Sequence, residues 1–209
     1  MKKAFENLSS NKKQRVLDAC IDEFGENGYE GSSTEGIIRR AGISKGGLYE
    51  YTTSKKDIFF FIIEYTYGQL YDYLRRRIKE DVKDLPDDLL QRLRLVSELA
   101  IDFYIGHPRF VYLIARTYHF TDDVMDKRVQ DIFMENFLDI FGDIDDSGLK
   151  FDRLHILDLA MWLLLKTRYD FLLEIKNEKD PVKIKIDYVK NWDFYLSIMK
   201  NGIYKNADD

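Results

Sequence analysis

Residues 33–55 bring hydroxyl, basic and aromatic side chains together around two adjacent glycines. Ammonium and hydroxyl groups donate to phosphate oxygens, and polar side chains that reach base edges read sequence. Two glycines inside a helix cost about 1 kcal/mol each relative to alanine, so their use favours close approach by a phosphate or a base edge. The chemistry that these residue types predict is DNA binding, with the expected contacts at Ser33, Thr34, Ser44, Lys45, Gly46, Gly47, Tyr49, Tyr51 and Lys55.

The spacing of these residues predicts two short helices joined by a tight turn. Thr34 can cap a first helix whose apolar residues lie three and four apart, namely Ile37, Ile38 and Ala41. Gly42 ends that helix, since glycine enters the left-handed region without a Cβ clash, and Ser44 caps the next. The second helix is predicted from Lys45 to about Tyr51. This pattern is a helix-turn-helix.

The same stretch resembles the DNA-binding domain of the tetracycline-repressor (TetR) family of transcriptional regulators. The family pattern is two small hydroxyl residues followed by I-A-x-x-A-G-V-S-x-G-x-L-Y-x-H/Y-F-x-S-K-E-x-L. It is matched in register by Ser33, Thr34, Ile37, Ala41, Gly42, Ile43, Ser44, Gly46, Leu48, Tyr49, Tyr51, Ser54, Lys55 and Ile58. The departures are Ile38 for alanine, Thr52 for phenylalanine and Lys56 for an acid. The motif covers about a quarter of the chain.

The resemblance implies an all-α protein of about nine helices. Residues 1–54 would form the three-helix DNA-binding domain, and residues 55–209 a helical domain for effector binding and dimerisation. Two chains would pair through the last two helices, at about 152–176 and 181–204, and bind a near-palindromic double-stranded operator in successive major grooves. The implied function is a repressor that a small ligand releases from DNA. Lys55 resembles the family's lysine at the start of the fourth helix, and Lys45 is the candidate reader of a base or a phosphate.

Length and composition predict one or two globular domains without a membrane segment. The chain has 209 residues, with 45% hydrophobic and 33% charged residues and only three prolines. Its longest apolar run, Leu159 to Leu165, is far shorter than the roughly 20 residues that span a bilayer. We therefore expect a cytoplasmic protein. The single Cys20 has helical spacing with Val16 and Phe24, which favours a core position over a reactive thiol.

The net charge of −5 is unevenly distributed along the chain. Residues 1–57 carry ten Lys and Arg against nine Asp and Glu, whereas the remainder carries 22 against 28. The bases of the first part cluster at Lys12, Lys13, Arg15, Arg39, Arg40, Lys45, Lys55 and Lys56. A local basic face suffices for DNA binding, because screening confines these interactions to short range.

Apolar periodicity predicts helices along the rest of the chain and no strand. Residues up to Ser10 are expected to form a flexible arm, and Gly28 is expected to stop the first helix. The predicted helices are Asn11–Glu26, Lys55–Glu80 with Ser54 and Asp57 at its start, Pro86–Ile105, Pro108–Phe120, Asp122–Phe141, Asp152–Lys176 and Pro181–Tyr204.

Two alternatives to a ligand-responsive regulator remain open. One is an all-helical enzyme, whose candidate groups are His107, His119 and His155 with Asp158. No metalloprotease, redox, nucleophile-elbow or phosphate-loop motif accompanies them, so neither a metal nor another cofactor is expected. The other alternative binds DNA without sensing a small molecule.

The helical domain is predicted to enclose an effector pocket, because the chain contains 14 Tyr and 14 Phe. A pocket for a mainly apolar ligand needs aromatic walls and a few polar groups. The candidate lining residues are Tyr65, Phe103, Tyr104, Tyr112, Arg116, Tyr118, His119, Phe137, Trp162, Lys166 and Tyr169. Trp162→Ala is accordingly expected to weaken induction while leaving DNA binding of the free protein nearly intact.

Overall fold

The computed structural model describes residues 3–117 and 123–204. Within these ranges the chain forms ten α-helices and no strand, so the all-α prediction is confirmed. An isolated antiparallel bridge joins Leu149 to Tyr204. The helices are α1 (Lys3–Glu6), α2 (Ser10–Gly31), α3 (Thr34–Ala41), α4 (Lys45–Tyr51), α5 (Lys55–Arg77), α6 (Leu89–Gly106), α7 (Pro108–Ala115), α8 (Asp123–Phe141), α9 (Arg153–Asn177) and α10 (Pro181–Ile203).

The chain divides into two compact units. The first unit comprises residues 1–69 and 109–134, and the second comprises 70–108 and 135–209. Helices α5 and α8 each contribute to both units. The expected boundary of a DNA-binding domain at residue 54 stays a prediction, and the compact units divide the chain at other positions.

The first unit has an aromatic and aliphatic core supplied by α2, α3, α4 and α5. Phe24 and Phe59 meet edge to face, with ring centroids 5.1 Å apart. Cys20 is fully buried, as expected of a core residue, and burial raises the pKa of its thiol. Because the thiolate is the reactive species, this thiol is held in its unreactive form.

The second unit is centred on α6, α9 and α10. Tyr104 packs against Phe171 and Tyr188, at centroid distances of 5.6 and 6.2 Å. The guanidinium of Arg168 is also buried, and its Nε donates to the Tyr104 hydroxyl at 2.9 Å. This core therefore contains polar groups as well as aromatic rings.

Side-chain caps set most of the helix starts. Asp57 N donates to Ser54 Oγ at 3.0 Å, which confirms the predicted start of α5. Helix α6 begins at Leu89 rather than at the predicted Pro86, because the Asp88 carboxylate caps it by accepting from Gln91 N at 2.8 Å. Asp152 and Asp180 cap α9 and α10 in the same way.

Three helix ends differ from the sequence prediction. The chain stays helical past Glu26 to Gly31, although Gly28 has left-handed φ of 67° and interrupts the regular geometry. Helix α5 ends at Arg77 and continues into a π-helical turn, Ile78–Val82. Helix α7 ends at Ala115, and the remainder of the predicted segment up to Phe120 lies partly outside the described residues.

The expectation of a flexible N-terminal arm is wrong for residues 3–6. These residues form α1, whose Phe5 side chain is 2% exposed. A buried aromatic residue fixes the segment, and sequence periodicity cannot detect it in a single helical turn.

No helix in the described ranges is both long enough and apolar enough to cross a membrane.

Candidate DNA-binding interface

The turn between α3 and α4 has the conformation that the sequence predicts. Gly42 lies in the left-handed region, with φ 62° and ψ 42°, and its N–H donates to the carbonyl of Ile38. The Ser44 hydroxyl accepts from Gly47 N at 3.0 Å and caps α4. Both devices act over three or four residues, so the turn is built by its own sequence.

Ser33, and not Thr34, caps α3. Its hydroxyl accepts from Gly36 N at 2.9 Å, and its backbone is extended at φ −135° and ψ 150°. Thr34 is the first residue of the helix, and its hydroxyl donates to Glu35 at 3.1 Å. The expected capping role of Thr34 is therefore wrong by one residue.

A buried carboxylate from α2 fixes the start of α3, and sequence reasoning missed it. Glu23 is 4% exposed and accepts from Ser33 N and Arg40 Nε, each at 3.0 Å. A Cβ on Gly36 would clash with the Glu23 carboxylate, so a larger residue there would displace that carboxylate from the start of α3. Arg40 also donates to Glu26 and thereby lowers the pKa of that carboxyl. No short-range pattern links these residues.

The exposed face of α4 presents basic, hydroxyl and glycine positions. Lys45 is exposed and lies 3.5 Å from Glu35, and Tyr49 is 39% exposed. A Cβ at Gly46 would meet no atom of the described chain within 4 Å, whereas one at Gly47 would lie 3.1 Å from Ser44 Oγ. The fold therefore gives no steric reason for glycine at position 46.

Tyr51 and Lys55 are more engaged in the fold than expected. Tyr51 is 2% exposed, which contradicts its expected place at the protein surface. Lys55 Nζ donates to the carbonyls of Tyr29 and Ser32 at 2.8 and 3.1 Å and lies 4.3 Å from the Tyr29 ring centroid. An ammonium has three donors, so these two bonds still allow a phosphate contact.

The residues expected to line one effector pocket are distributed over both units. In the first unit, Tyr65 packs on Phe110, whereas Tyr112 and Arg116 line a cavity of about 460 Å³ between α2 and α7. Arg116 donates to the carbonyls of Gly25 and Glu26, each at 3.3 Å. Tyr118 and His119 lie outside the described residues.

In the second unit, the candidates divide into a buried and an exposed set. Phe103, Tyr104 and Phe137 are buried. Trp162 and Tyr169 are 58% and 55% exposed on α9, and Lys166 pairs with Asp170 at 2.5 Å. The single aromatic-lined pocket stays a prediction.

An apolar surface lies along α9 and α10, and we call it the α9/α10 face. Its exposed side chains are Leu154, Trp162, Tyr169, Leu173, Val182, Ile186, Phe194 and Ile198. An open groove of about 800 Å³ runs between the two helices and includes Trp162 and Ile198. Most of the large apolar side chains that are exposed in the described ranges belong to this face or flank it.

The structure brings no catalytic constellation together around the two histidines it describes. The His107 ring stacks on the Phe103 ring at a centroid distance of 4.4 Å, and His107 Nδ1 lies 3.1 Å from the Phe103 carbonyl oxygen. His155 is exposed, 3.6 Å from Asp152. Among residues 3–117 and 123–204, no cluster of three or more His, Cys, Asp or Glu side chains is arranged to hold a metal ion.

Comparison with known proteins agrees with this geometry. Residues 16–61 match the family model described as bacterial regulatory proteins, tetR family. The chain is 32% identical over 73 residues to the fatty acid metabolism regulator protein of Bacillus subtilis (strain 168), a match covering 35% of this chain and 36% of that relative. The chain thus spans little more than a third of that relative's length.

Solved structures share the fold over nearly the whole chain. A TetR family transcriptional regulator from Chloroflexus aurantiacus J-10-FL superposes with a TM-score of 0.70 at 20% identity, covering 98% of this chain and 99% of that one. The regulator FadR from Bacillus subtilis, solved in complex with stearoyl-CoA, superposes with a TM-score of 0.65 at 18% identity, covering 86% of this chain and 96% of that one. The helix-turn-helix region of this chain thus matches the model of the tetR family of bacterial regulatory proteins, and the chain shares the fold of these solved structures.

Proposed function

We propose that the protein is a ligand-responsive transcriptional repressor that binds a near-palindromic DNA operator as a homodimer in the cytoplasm. The proposal rests on the helix-turn-helix and on the match of residues 16–61 to the model of the tetR family. The observation that carries it is the exposed face of α4, where Gly46 lacks a side chain although the fold leaves space for one. Close approach of DNA explains that absence.

The expected contacts divide into two classes. Lys45 and Tyr49, which are exposed on α4, face the DNA and contribute base or phosphate contacts. Ser33, Thr34 and Lys55 hold phosphates at the ends of α3 and α5. Phosphate contacts position the protein, and base contacts specify the sequence.

Selection of bound duplexes from random DNA tests this function. A regulator of this kind enriches one inverted repeat, whose half-site centres lie about one helical turn or a multiple of it apart. Lys45→Ala should weaken binding to the selected duplex, whereas a substitution at the exposed Lys127 of α8 should not. Recovery of unrelated sequences, with equal effects of both substitutions, would exclude the proposal.

The α9/α10 face supports dimerisation through the last two helices. Exposed apolar patches of this kind mark interaction surfaces, because burying them removes apolar area from water. Val182, Ile186, Phe194 and Ile198 lie at intervals that are multiples of four, which places them on one side of α10. A two-fold axis along this face would pair each side chain with the same surface of the partner.

A charged residue on that face tests the dimer. Ile198→Asp should convert the dimer to a monomer in light scattering at micromolar concentration, because the carboxylate would be buried without a partner. Leu138→Asp is the matched control, since Leu138 is 43% exposed on α8. Dimers of unchanged stability in both variants would place the interface elsewhere. Trp162 belongs to the same face, so we expect Trp162→Ala to weaken the dimer as well as induction.

The proposed effector is a small molecule with a mainly apolar or aromatic part, and an acyl thioester, whose acyl chain would supply that part, is the first candidate. FadR from Bacillus subtilis was solved with stearoyl-CoA. To lower operator affinity a hundredfold, a ligand must favour the non-binding conformation by about 2.7 kcal/mol. Titration of stearoyl-CoA into the complex with the selected duplex, followed by fluorescence anisotropy, measures this coupling. If neither stearoyl-CoA nor a broader ligand screen changes the anisotropy or the melting temperature, the protein binds DNA without sensing a small molecule.

A further inference from the structure

The recognition helix α4 is held by few side chains. It has seven residues, two of which are glycine, and helices of this length are not stable alone in water. Its buried side chains are Leu48, which is fully buried, and Tyr51, which is 2% exposed. The orientation of α4 therefore depends on what packs around these two residues.

Tyr51 is covered by the N-terminal helix. The Phe5 ring of α1 meets the Tyr51 ring edge to face, at a centroid distance of 6.0 Å. On its other side Phe5 meets Phe61 of α5 at 5.5 Å, again edge to face. One aromatic side chain thus joins α1, α4 and α5.

Two lysines of α2 complete this aromatic cluster. Lys13 Nζ lies 5.6 Å from the Phe5 ring centroid and donates to the Glu6 carbonyl at 3.2 Å. Lys12 Nζ lies 5.8 Å from the Tyr51 ring centroid. A cation within about 6 Å of an aromatic ring centroid is attracted to the face of the ring. The Lys13 contacts fix α1 against the start of α2, and the Lys12 contact joins α2 to α4.

The residue that follows Tyr51 explains why this support comes from α1. Thr52 is 1% exposed, and its hydroxyl donates to the Ser54 carbonyl at 3.1 Å. Its short side chain makes a hydrogen bond within the turn between α4 and α5 and supplies no aromatic surface. The aromatic contacts on Tyr51 and Phe61 are made instead by Phe5, 46 positions earlier in the chain than Tyr51.

We propose that Phe5 is a positioning residue for DNA binding, because its ring fixes the angle at which α4 presents Lys45 and Tyr49. The inference rests on the proposed function of the helix-turn-helix and adds α1 to the DNA-binding machinery. Phe5 itself contacts no DNA in this arrangement, since its ring is buried. Its effect is on the mobility of α4.

Hydrogen–deuterium exchange of the full-length protein tests the packing without DNA. In Phe5→Ala, the amides of α4 should exchange about tenfold faster, the change expected for loss of roughly one aromatic pair. The amides of α10 should be unchanged. Phe5→Leu, which keeps an apolar side chain, should restore part of the protection. Phe60→Ala is the matched control, because the Phe60 ring packs on Phe59 and near Lys56 rather than on α4.

Binding to the selected duplex then tests the positioning role. Phe5→Ala should weaken binding about tenfold, with an unchanged slope of log affinity against log salt, because no phosphate contact is removed. A flatter slope would show that α1 contacts DNA directly and would overturn the positioning role. Unchanged exchange in α4, or an equal increase in Phe60→Ala, would overturn the packing argument.

Failure of the proposed DNA-binding function and failure of the positioning role of Phe5 would give different experimental results. If the wild-type protein selects no duplex, the proposed function fails, and the exchange of α4 still reports whether Phe5 holds that helix. If Phe5→Ala unfolds the whole chain, the same criteria are applied to Phe5→Leu, whose α4 exchange must exceed that of the wild type for the proposal to stand.

Discussion

Replacing Lys55 by methionine should destabilise the first unit even without DNA. The methionine keeps an apolar stem of similar length and removes the ammonium, which donates to the Tyr29 and Ser32 carbonyls and lies over the Tyr29 ring. Hydrogen bonds from a charged donor contribute about 1.5 kcal/mol each at the lower end, and the cation–π contact about 0.5 to 1 kcal/mol. We therefore expect the free energy of unfolding to fall by about 3.5 to 4 kcal/mol.

Thermal unfolding followed by far-ultraviolet circular dichroism measures this loss. In a chain of this size, 1 kcal/mol corresponds to about 2 to 4 °C, so the midpoint should fall by about 7 to 16 °C. Lys45→Met is the matched control. The Lys45 side chain is 69% exposed and its pairing with Glu35 is a surface contact, so its loss should cost less than about 1 kcal/mol.

The same pair of variants separates the fold from DNA binding. If each lysine contacts one phosphate per subunit, either substitution should flatten the slope of log affinity against log salt by roughly 1.8 units in a dimer. Equal midpoints for Lys55→Met and Lys45→Met would refute the stabilising role of the two carbonyl contacts. A slope that does not change in Lys55→Met would remove Lys55 from the phosphate contacts.

Three further substitutions give distinct expected outcomes. Gly46→Ala should raise the stability of the free protein by up to about 1 kcal/mol, because alanine favours the helix and the added Cβ meets only open space within the protein. The same substitution should weaken DNA binding. A loss of stability or an unchanged affinity for DNA would contradict this prediction. Tyr188→Phe should leave the melting temperature unchanged or higher, because the buried Tyr188 hydroxyl makes no hydrogen bond of ordinary geometry to the described residues. A decrease in the free energy of unfolding above about 1 kcal/mol would show that the hydroxyl is hydrogen-bonded. Hydrogen bonds from Lys183 and from two backbone N–H groups lower the pKa of Glu178 to about 2. The ionised carboxylate therefore stabilises the fold above about pH 4.5, and this contribution to the free energy of unfolding is lost as the pH falls towards 2. Glu178→Gln should flatten the pH dependence of the melting temperature in that interval, and an unchanged profile would assign the acid sensitivity to other groups.

The sequence alone determined the local geometry of the helix-turn-helix. Gly42 ends α3 and Ser44 caps α4 through hydrogen bonds that close over three or four positions, so the residues that decide the turn are close together in the chain. The same reason explains the correct start of α5 at Ser54 and the correct extent of α4. Apolar periodicity likewise located the long helices, because one face of each is buried.

The tertiary structure decided which side chains are available at the proposed DNA-binding surface. Ser33 and Thr34 both have hydroxyls that could cap α3, so the sequence does not choose between them. The buried Glu23 carboxylate, ten residues before Ser33, accepts from the Ser33 N–H at the start of α3. Tyr51 looks like a surface residue in the motif but is buried beneath Phe5.

The direction of a long side chain is also a tertiary property. The Lys55 ammonium turns back to carbonyls 23 and 26 residues earlier, at the end of α2. Contacts of this kind depend on how helices pack rather than on spacing along one helix. A motif therefore predicts the backbone of the site, whereas the packing around it decides which of its side chains can reach a ligand.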